Sequence, residues 1–308
     1  MAGTVLDREE YVEQEYLFRV YRERLEQNIP SQEILQTIQE EILATTRLPL
    51  AIDFMRAEIM HLGRISGAMV RLAHYFAPFQ AFVMQQAEAD ESRFDQITAL
   101  RILEREANFR SRGGVPAGLF IYQFECIARN RLGYYDGLEA ISRDPFYDAA
   151  WSRWIRDLRV HLGARDLAEV VYLASLHYQQ RRVTQTAADS AATVSGAVVG
   201  STDAPGRTAL FGDQEGRIAR ANIRRDPLYF FAALQRQLGY PAVPRLSRAD
   251  DADKLSPRLE SRLAKIEQRI KLLEMEQRGG IDLARLARRP DGSDPSAVPF
   301  TDDVPDFS

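Results

Sequence analysis

Apolar residues recur at three- and four-residue intervals through the first two thirds of the chain, which is the spacing of one helix face. The first stripe consists of Tyr11, Phe18, Tyr21 and Leu25. Asp7 followed by Glu10 has the form of a capping box, which predicts that a helix begins there. Further stripes follow, so we predict an all-α fold with a multi-helix bundle over residues 7–186.

The most apolar part of the chain runs from Pro49 to Gln86, and we expect it to form the centre of the bundle. Pro78 should kink or split this segment, because proline cannot continue helical hydrogen bonding. The longest uncharged apolar stretch, Leu72–Ala87, is shorter than the roughly 20 residues that cross a bilayer, so we predict no membrane span. A later stripe predicts one helix from Asp166 to about Arg182.

Two short segments of the chain resemble each other. They are Arg143-Asp144-Pro145-Phe146-Tyr147 and Arg225-Asp226-Pro227-Leu228-Tyr229. Aspartate is a good N-cap and proline suits the first helical position, so each Asp-Pro pair is predicted to open a helix. An internal duplication is the alternative, but the helices that follow are predicted to differ in length.

Composition changes near Ala187, where alanine, serine, threonine, glycine and valine replace large apolar residues. We predict a flexible linker over residues 187–212, with a weak strand pair around Val194 and Val198 as the alternative. A basic helical unit is predicted over residues 213–245.

The clearest local pattern lies in residues 255–278, where apolar residues alternate at steps of four and three, the spacing of a coiled-coil seam. Ser256 is a suitable N-cap and Pro257 suits the first helical position, while Gly279 predicts the end of the helix. The seam residues are Leu259, Leu263, Ile266, Ile270 and Leu273.

Charged residues of opposite sign flank this seam. They are Arg262 and Arg269 at g positions and Glu267 and Glu274 at e positions. In a parallel homodimer each arginine would lie opposite a glutamate of the second chain, so the pattern favours self-association. The alternatives are docking on the chain's own core and pairing with a different partner helix, because a helix with so few heptads is short for an autonomous coiled coil.

Residues 291–308 contain five aspartates, three prolines and no basic residue. Such a segment buries too little apolar surface to order itself, so we predict a disordered acidic tail. Its end, residues 302–307, places Phe307 among aspartates and resembles the acidic C-terminal tail of bacterial single-stranded DNA-binding proteins. This resemblance implies that the tail docks on a partner protein through Phe307; a purely solubilising tail is the preferred alternative.

The overall composition limits the function classes. Hydrophobic side chains make up 45% and charged ones 27% of the 308 residues, which are ordinary globular values. With a net charge of −4, we do not expect the protein to bind nucleic acid non-specifically through its overall charge. Cys126 is the single cysteine, which excludes intramolecular disulfides and multi-cysteine zinc sites. The acidic N-terminal residues are unlike a signal peptide, so we expect a cytoplasmic protein.

Candidate chemistry is sparse. Glu58 and His61 have the Glu-x-x-His spacing of ferritin-like di-iron proteins, but the second such motif is missing, so they are weak metal-ligand candidates and we predict no cofactor. The arginine-rich segment 217–248, with interleaved aromatics, has a nucleic-acid interpretation that we rank below core packing. We therefore predict a non-enzymatic interaction protein, an adaptor or scaffold, that associates through its coiled-coil segment and recruits partners through its tail.

Overall fold

A computed structural model describes residues 5–42, 45–89, 94–161, 163, 165–192 and 208–245. The all-α prediction is confirmed over these residues, which form helices and no β-strand. The helices are α1 (Arg8–Glu26), α2 (Ser31–Glu41), α3 (Leu48–Leu62), α4 (Ser66–Arg71), α5 (Pro78–Glu88), α6 (Gln96–Ser111), α7 (Pro116–Asn130), α8 (Tyr134–Ser142), α9 (Ala149–His161), α10 (Leu167–Leu173), α11 (Leu176–Ala192), α12 (Asp213–Asn222) and α13 (Pro227–Leu238).

One hydrophobic core runs through the described residues, from Leu6 in the first segment to Tyr240 in the last. Helix α7 is buried along nearly its whole length, from Ala117 to Ile127. The apolar segment 49–86 is divided into α3, α4 and α5, and α5 begins at Pro78 as the proline predicts. The longest run of buried residues thus lies in α7 and not in the most apolar segment of the sequence.

The beginning of α1 differs from the predicted capping box. Asp7 makes no side-chain capping bond. The carboxylate of Glu10 instead accepts from the backbone N–H of Arg47, at 3.0 and 3.2 Å from its two oxygens. Glu10 therefore ties α1 to the start of α3, and a long-range contact replaces a local one.

The single helix predicted from Asp166 to Arg182 is two helices, α10 and α11, separated at Ser175. Ser175 forms an isolated parallel bridge with Phe211, and the N–H of Leu176 donates to the carbonyl of Phe211 at 2.9 Å. Pairing with a distant segment thus interrupts the helical hydrogen bonding that the local apolar pattern favours.

The structure also differs from the predicted linker at both of its ends. Helix α11 continues to Ala192, and residues 208–212 pack on the bundle. Phe211 is 1% exposed, and its ring lies 5.2 Å from Trp151, 5.5 Å from Trp154 and 6.4 Å from Phe120. Residues 213–245, predicted as a separate basic unit, therefore share the core of the preceding helices.

No helix among the described residues combines the length and hydropathy needed to cross a bilayer. All described residues belong to one unit, and residues 247–308 lie outside the described part of the chain. The predicted coiled-coil helix (255–278) and acidic tail (291–308) therefore fall outside the described residues.

Candidate functional site

The partner-binding residues predicted from sequence lie beyond the part of the chain that the structure describes. They are Leu259, Arg262, Leu263, Ile266, Glu267, Arg269, Ile270, Leu273, Glu274 and Phe307. Their roles stay predictions, and the described residues are considered for other sites.

Of the two candidate metal ligands, Glu58 forms an ion pair with an arginine and not with His61. Glu58 on α3 is 6% exposed, and its Oε2 accepts from Nη1 of Arg71 on α4 at 2.9 Å. His61 lies one turn later and is exposed. Within the described ranges, no three His, Cys, Asp or Glu side chains lie close enough together to hold a metal ion. The geometry thus places Glu58 between two helices as a partner of arginine.

The aromatics of segment 217–248 are mostly core residues, as the core-packing interpretation predicts. Phe230, Phe231 and Tyr240 are buried, whereas Tyr229 is 70% exposed. The hydroxyl of Tyr240 donates to Oε2 of the buried Glu125 on α7 at 2.7 Å. Burial, followed by the charge of Glu125, raises the pKa of this hydroxyl, so it remains a donor and fastens the segment to the bundle.

A buried ionic network joins α6, α7 and the turn before α9. Arg110 and Glu106 on α6 and Asp144 in the turn have side chains no more than 1% exposed. Nη2 of Arg110 donates to Glu106 at 2.9 Å and to Asp144, and Nη1 donates to Asp144 at 3.3 Å. Gln123 on α7 donates to Glu106 at 2.6 Å and accepts from the hydroxyl of Tyr147 at 2.8 Å.

The electrostatics of this network hold Arg110 in its charged form. Burial alone would lower the pKa of Arg110, but the charges of Asp144 and Glu106 outweigh it and raise the pKa. The guanidinium carbon lies 5.7 Å from the ring of Tyr11 and 5.3 Å from that of Phe146. Arg110 thereby links α1, α6 and the turn before α9, which is a structural role.

A cleft of about 560 Å³ opens beside this network. Its lining residues are Val5, Leu6, Arg8, Tyr11, Arg110, Ser111, Arg112, Gly113 and Phe146. Arg110 is committed to two carboxylates, and Nε of Arg8 donates to the carbonyl of Ser111 at 3.2 Å. These two arginines of the cleft therefore stabilise the packing of the surrounding helices.

A second cleft, of about 340 Å³, lies between α11 and α12. Its lining residues are His177, Gln180, Arg181, Thr184, Gln185, Asp213 and Arg217. Nδ1 of His177 lies 2.9 Å from one oxygen of Asp213, and Nε of Arg217 lies 2.9 Å from the other oxygen in an ion pair. Asp213 thus orients a histidine and an arginine toward one polar concavity.

Sequence reasoning missed both clusters for different reasons. Glu106 and Arg110 are four apart on one helix, a spacing that is typical of pairs on the helix surface. His177 and Asp213 are separated by 36 residues, with no motif connecting them. The small residue at Gly216, which allows close helix contact, is the one local signal near this cleft.

Comparison with known proteins adds no homologue. No family model matches the chain, and searches of curated proteins and of solved structures give no match.

Proposed function

We propose that this protein is a non-enzymatic helical interaction protein, an adaptor or scaffold, which forms a parallel homodimer through residues 259–273. The observation that carries the proposal is the apolar seam at a and d positions, flanked by arginine at g and glutamate at e. This combination is what a self-associating coiled coil requires, because the seam supplies affinity and the flanking charges set orientation and register.

The energetics assign most of the association to the seam. Exposed ion pairs such as Arg262 with Glu267 contribute only about 0.2–1 kcal/mol each. Each apolar side chain that is fully buried contributes about 1.5–3 kcal/mol. The short seam, followed by Gln277 at the next a position, predicts a dimer that dissociates on dilution.

The ionisable groups of the described residues also favour a binding role. Glu58, Glu106 and Glu125 are buried carboxylates, and each is paired with an arginine. Groups paired in this way stabilise helix packing and have little freedom for proton transfer. The proposal places the protein in the cytoplasm.

Sedimentation equilibrium of the full chain tests the proposal with a matched pair of variants. Ile266→Asp puts a charge into the seam, whereas Gln268→Asp puts the same charge at an outward f position. We expect wild type and Gln268→Asp to dimerise and Ile266→Asp to sediment as a monomer. A monomeric wild type, or equal effects of the two variants, would contradict the proposal.

Charge reversal tests the parallel arrangement. Replacing Arg262 and Arg269 by glutamate should weaken the dimer by like-charge repulsion across the interface. Adding Glu267→Arg and Glu274→Arg should restore association, because every g–e' pair is then again of opposite sign. Failure of the fourfold variant to recover would exclude a parallel homodimer in this register.

A further inference from the structure

We propose that the cleft between α11 and α12 binds a small phosphate-bearing molecule, with His177, Arg181 and Arg217 as its phosphate ligands. The two helices begin side by side, because Ser175 and Phe211, which directly precede this region, are joined by a bridge. The positive ends of both helix dipoles therefore lie at the same end of the cleft.

A glycine fixes the separation of the two helices. A Cβ atom at Gly216 would lie 2.3 Å from Oγ of Ser175 and 2.7 Å from Cβ of His177. Both contacts are closer than packed atoms allow, so only glycine permits α12 to approach α11 this closely. This approach brings Asp213 within hydrogen-bond distance of His177.

The arrangement of donors leaves positive charge in the cleft. Asp213 is the one acid among the described lining residues, and its two oxygens are already engaged by His177 and Arg217. Arg217 uses Nε for this contact, so both of its Nη groups remain for a ligand. With Nδ1 on Asp213, Nε2 of His177 is the ring nitrogen left for a ligand.

The remaining lining residues indicate the class of anion. Gln180 and Gln185 add amide donors along the α11 wall, whereas the hydroxyl of Thr184 donates to the carbonyl of Gln180 at 2.9 Å. Donors from two helices suit the three terminal oxygens of a phosphate monoester. Among the lining residues that the structure describes, the imidazole of His177 is the only aromatic ring available for base stacking. This favours a small polar phosphate compound over a single-stranded nucleic acid.

Imidazole NMR on the full ¹⁵N-labelled chain tests this proposal, with inorganic phosphate and glycerol phosphate as probes. The four histidines, His61, His74, His161 and His177, give separate reporters. We expect the His177 signals alone to shift saturably, while chloride at matched ionic strength leaves them in place. No saturable shift, or an equal movement of all four histidines, would overturn the proposal.

Two arginine variants test which residues bind the phosphate, and single-stranded DNA tests which class of molecule the cleft prefers. Arg181→Gln and Arg217→Gln should each weaken phosphate binding at least about tenfold, the loss expected for one charged hydrogen bond. Arg220→Gln, which removes an exposed α12 arginine outside the cleft, should not. The other three histidine signals report whether each variant is folded. If single-stranded DNA moves His177 at lower concentration than glycerol phosphate, the cleft belongs to a nucleic-acid surface and the proposal is wrong.

Discussion

The two Asp-Pro segments carry nearly the same sequence and occupy opposite environments. Asp226 caps α13, its Oδ1 accepting from the N–H of Leu228 at 2.8 Å, and Pro227 occupies the first helical position. Asp144 accepts similarly from the N–H of Phe146 at 3.0 Å, yet the chain makes a turn there and α9 begins only at Ala149.

The tyrosines that follow show the same contrast. Tyr147 is 5% exposed and donates to Gln123, whereas Tyr229 is 70% exposed. The difference arises from Arg110, which draws Asp144 into the core and fixes the turn around it. In both segments the aspartate accepts a hydrogen bond from the N–H two residues later. The long-range partner of the aspartate decides whether the segment forms a buried turn or an exposed helix start.

The largest expected effect is that of Asp144→Ala. Removing a buried carboxylate from a charged guanidinium costs about 3–5 kcal/mol, so the free energy of unfolding should fall by that amount. Urea denaturation measures it, and Asp144→Asn should also be strongly destabilising, because the amide lacks the charge. A loss no greater than that of Asp226→Ala would show that Arg110 does not distinguish the two segments.

Tyr147→Phe leaves the amide oxygen of Gln123 buried without its donor and should cost about 1–3 kcal/mol. The matched variant Tyr229→Phe removes an exposed hydroxyl and should change stability by less than about 0.5 kcal/mol. Thermal and urea unfolding of the two variants side by side provide the measurement. Equal losses would mean that burial is not the source of the contrast.

The buried Tyr21 should make the stability of the folded protein depend on pH in the alkaline range. Burial raises the pKa of Tyr21 from 10.0 to about 12 in the folded protein. Its contribution to stability is therefore complete below pH 10 and is lost as the pH rises to 12, by about 2 kcal/mol. Urea midpoints between pH 9 and 12 should fall less steeply for Tyr21→Phe than for wild type, and parallel curves would contradict this.

The smallest effect is expected at the exposed segment. Asp226→Ala removes an N-cap and should cost about 1 kcal/mol, while Asp226→Asn should be nearly neutral because asparagine caps equally well. Helix content and unfolding free energy by circular dichroism check both variants. Tolerance of asparagine at 226 but not at 144 would sharpen the comparison most directly.

Local sequence patterns predicted what depends on neighbours within a turn or two. In the first predicted stripe, Tyr11, Phe18 and Tyr21 are buried and Leu25 is partly buried. Helix α5 begins at Pro78 and Asp226 caps α13, each as its pattern predicts. The candidate site was not predictable in this way. Its charged residues come from two helices, and no local rule connects His177 with Asp213.

The sequence by itself determined an all-α protein, because helical periodicity and capping act over a few residues and need no tertiary partner. Tertiary structure alone decided that Asp144 is buried, that the helical segment is interrupted at Ser175 and that Asp213 orients His177. Each of these rests on contacts between residues more than 30 positions apart, such as Arg110 with Asp144 at a separation of 34. The free energy of those contacts depends on burial, which exists only once the helices have packed.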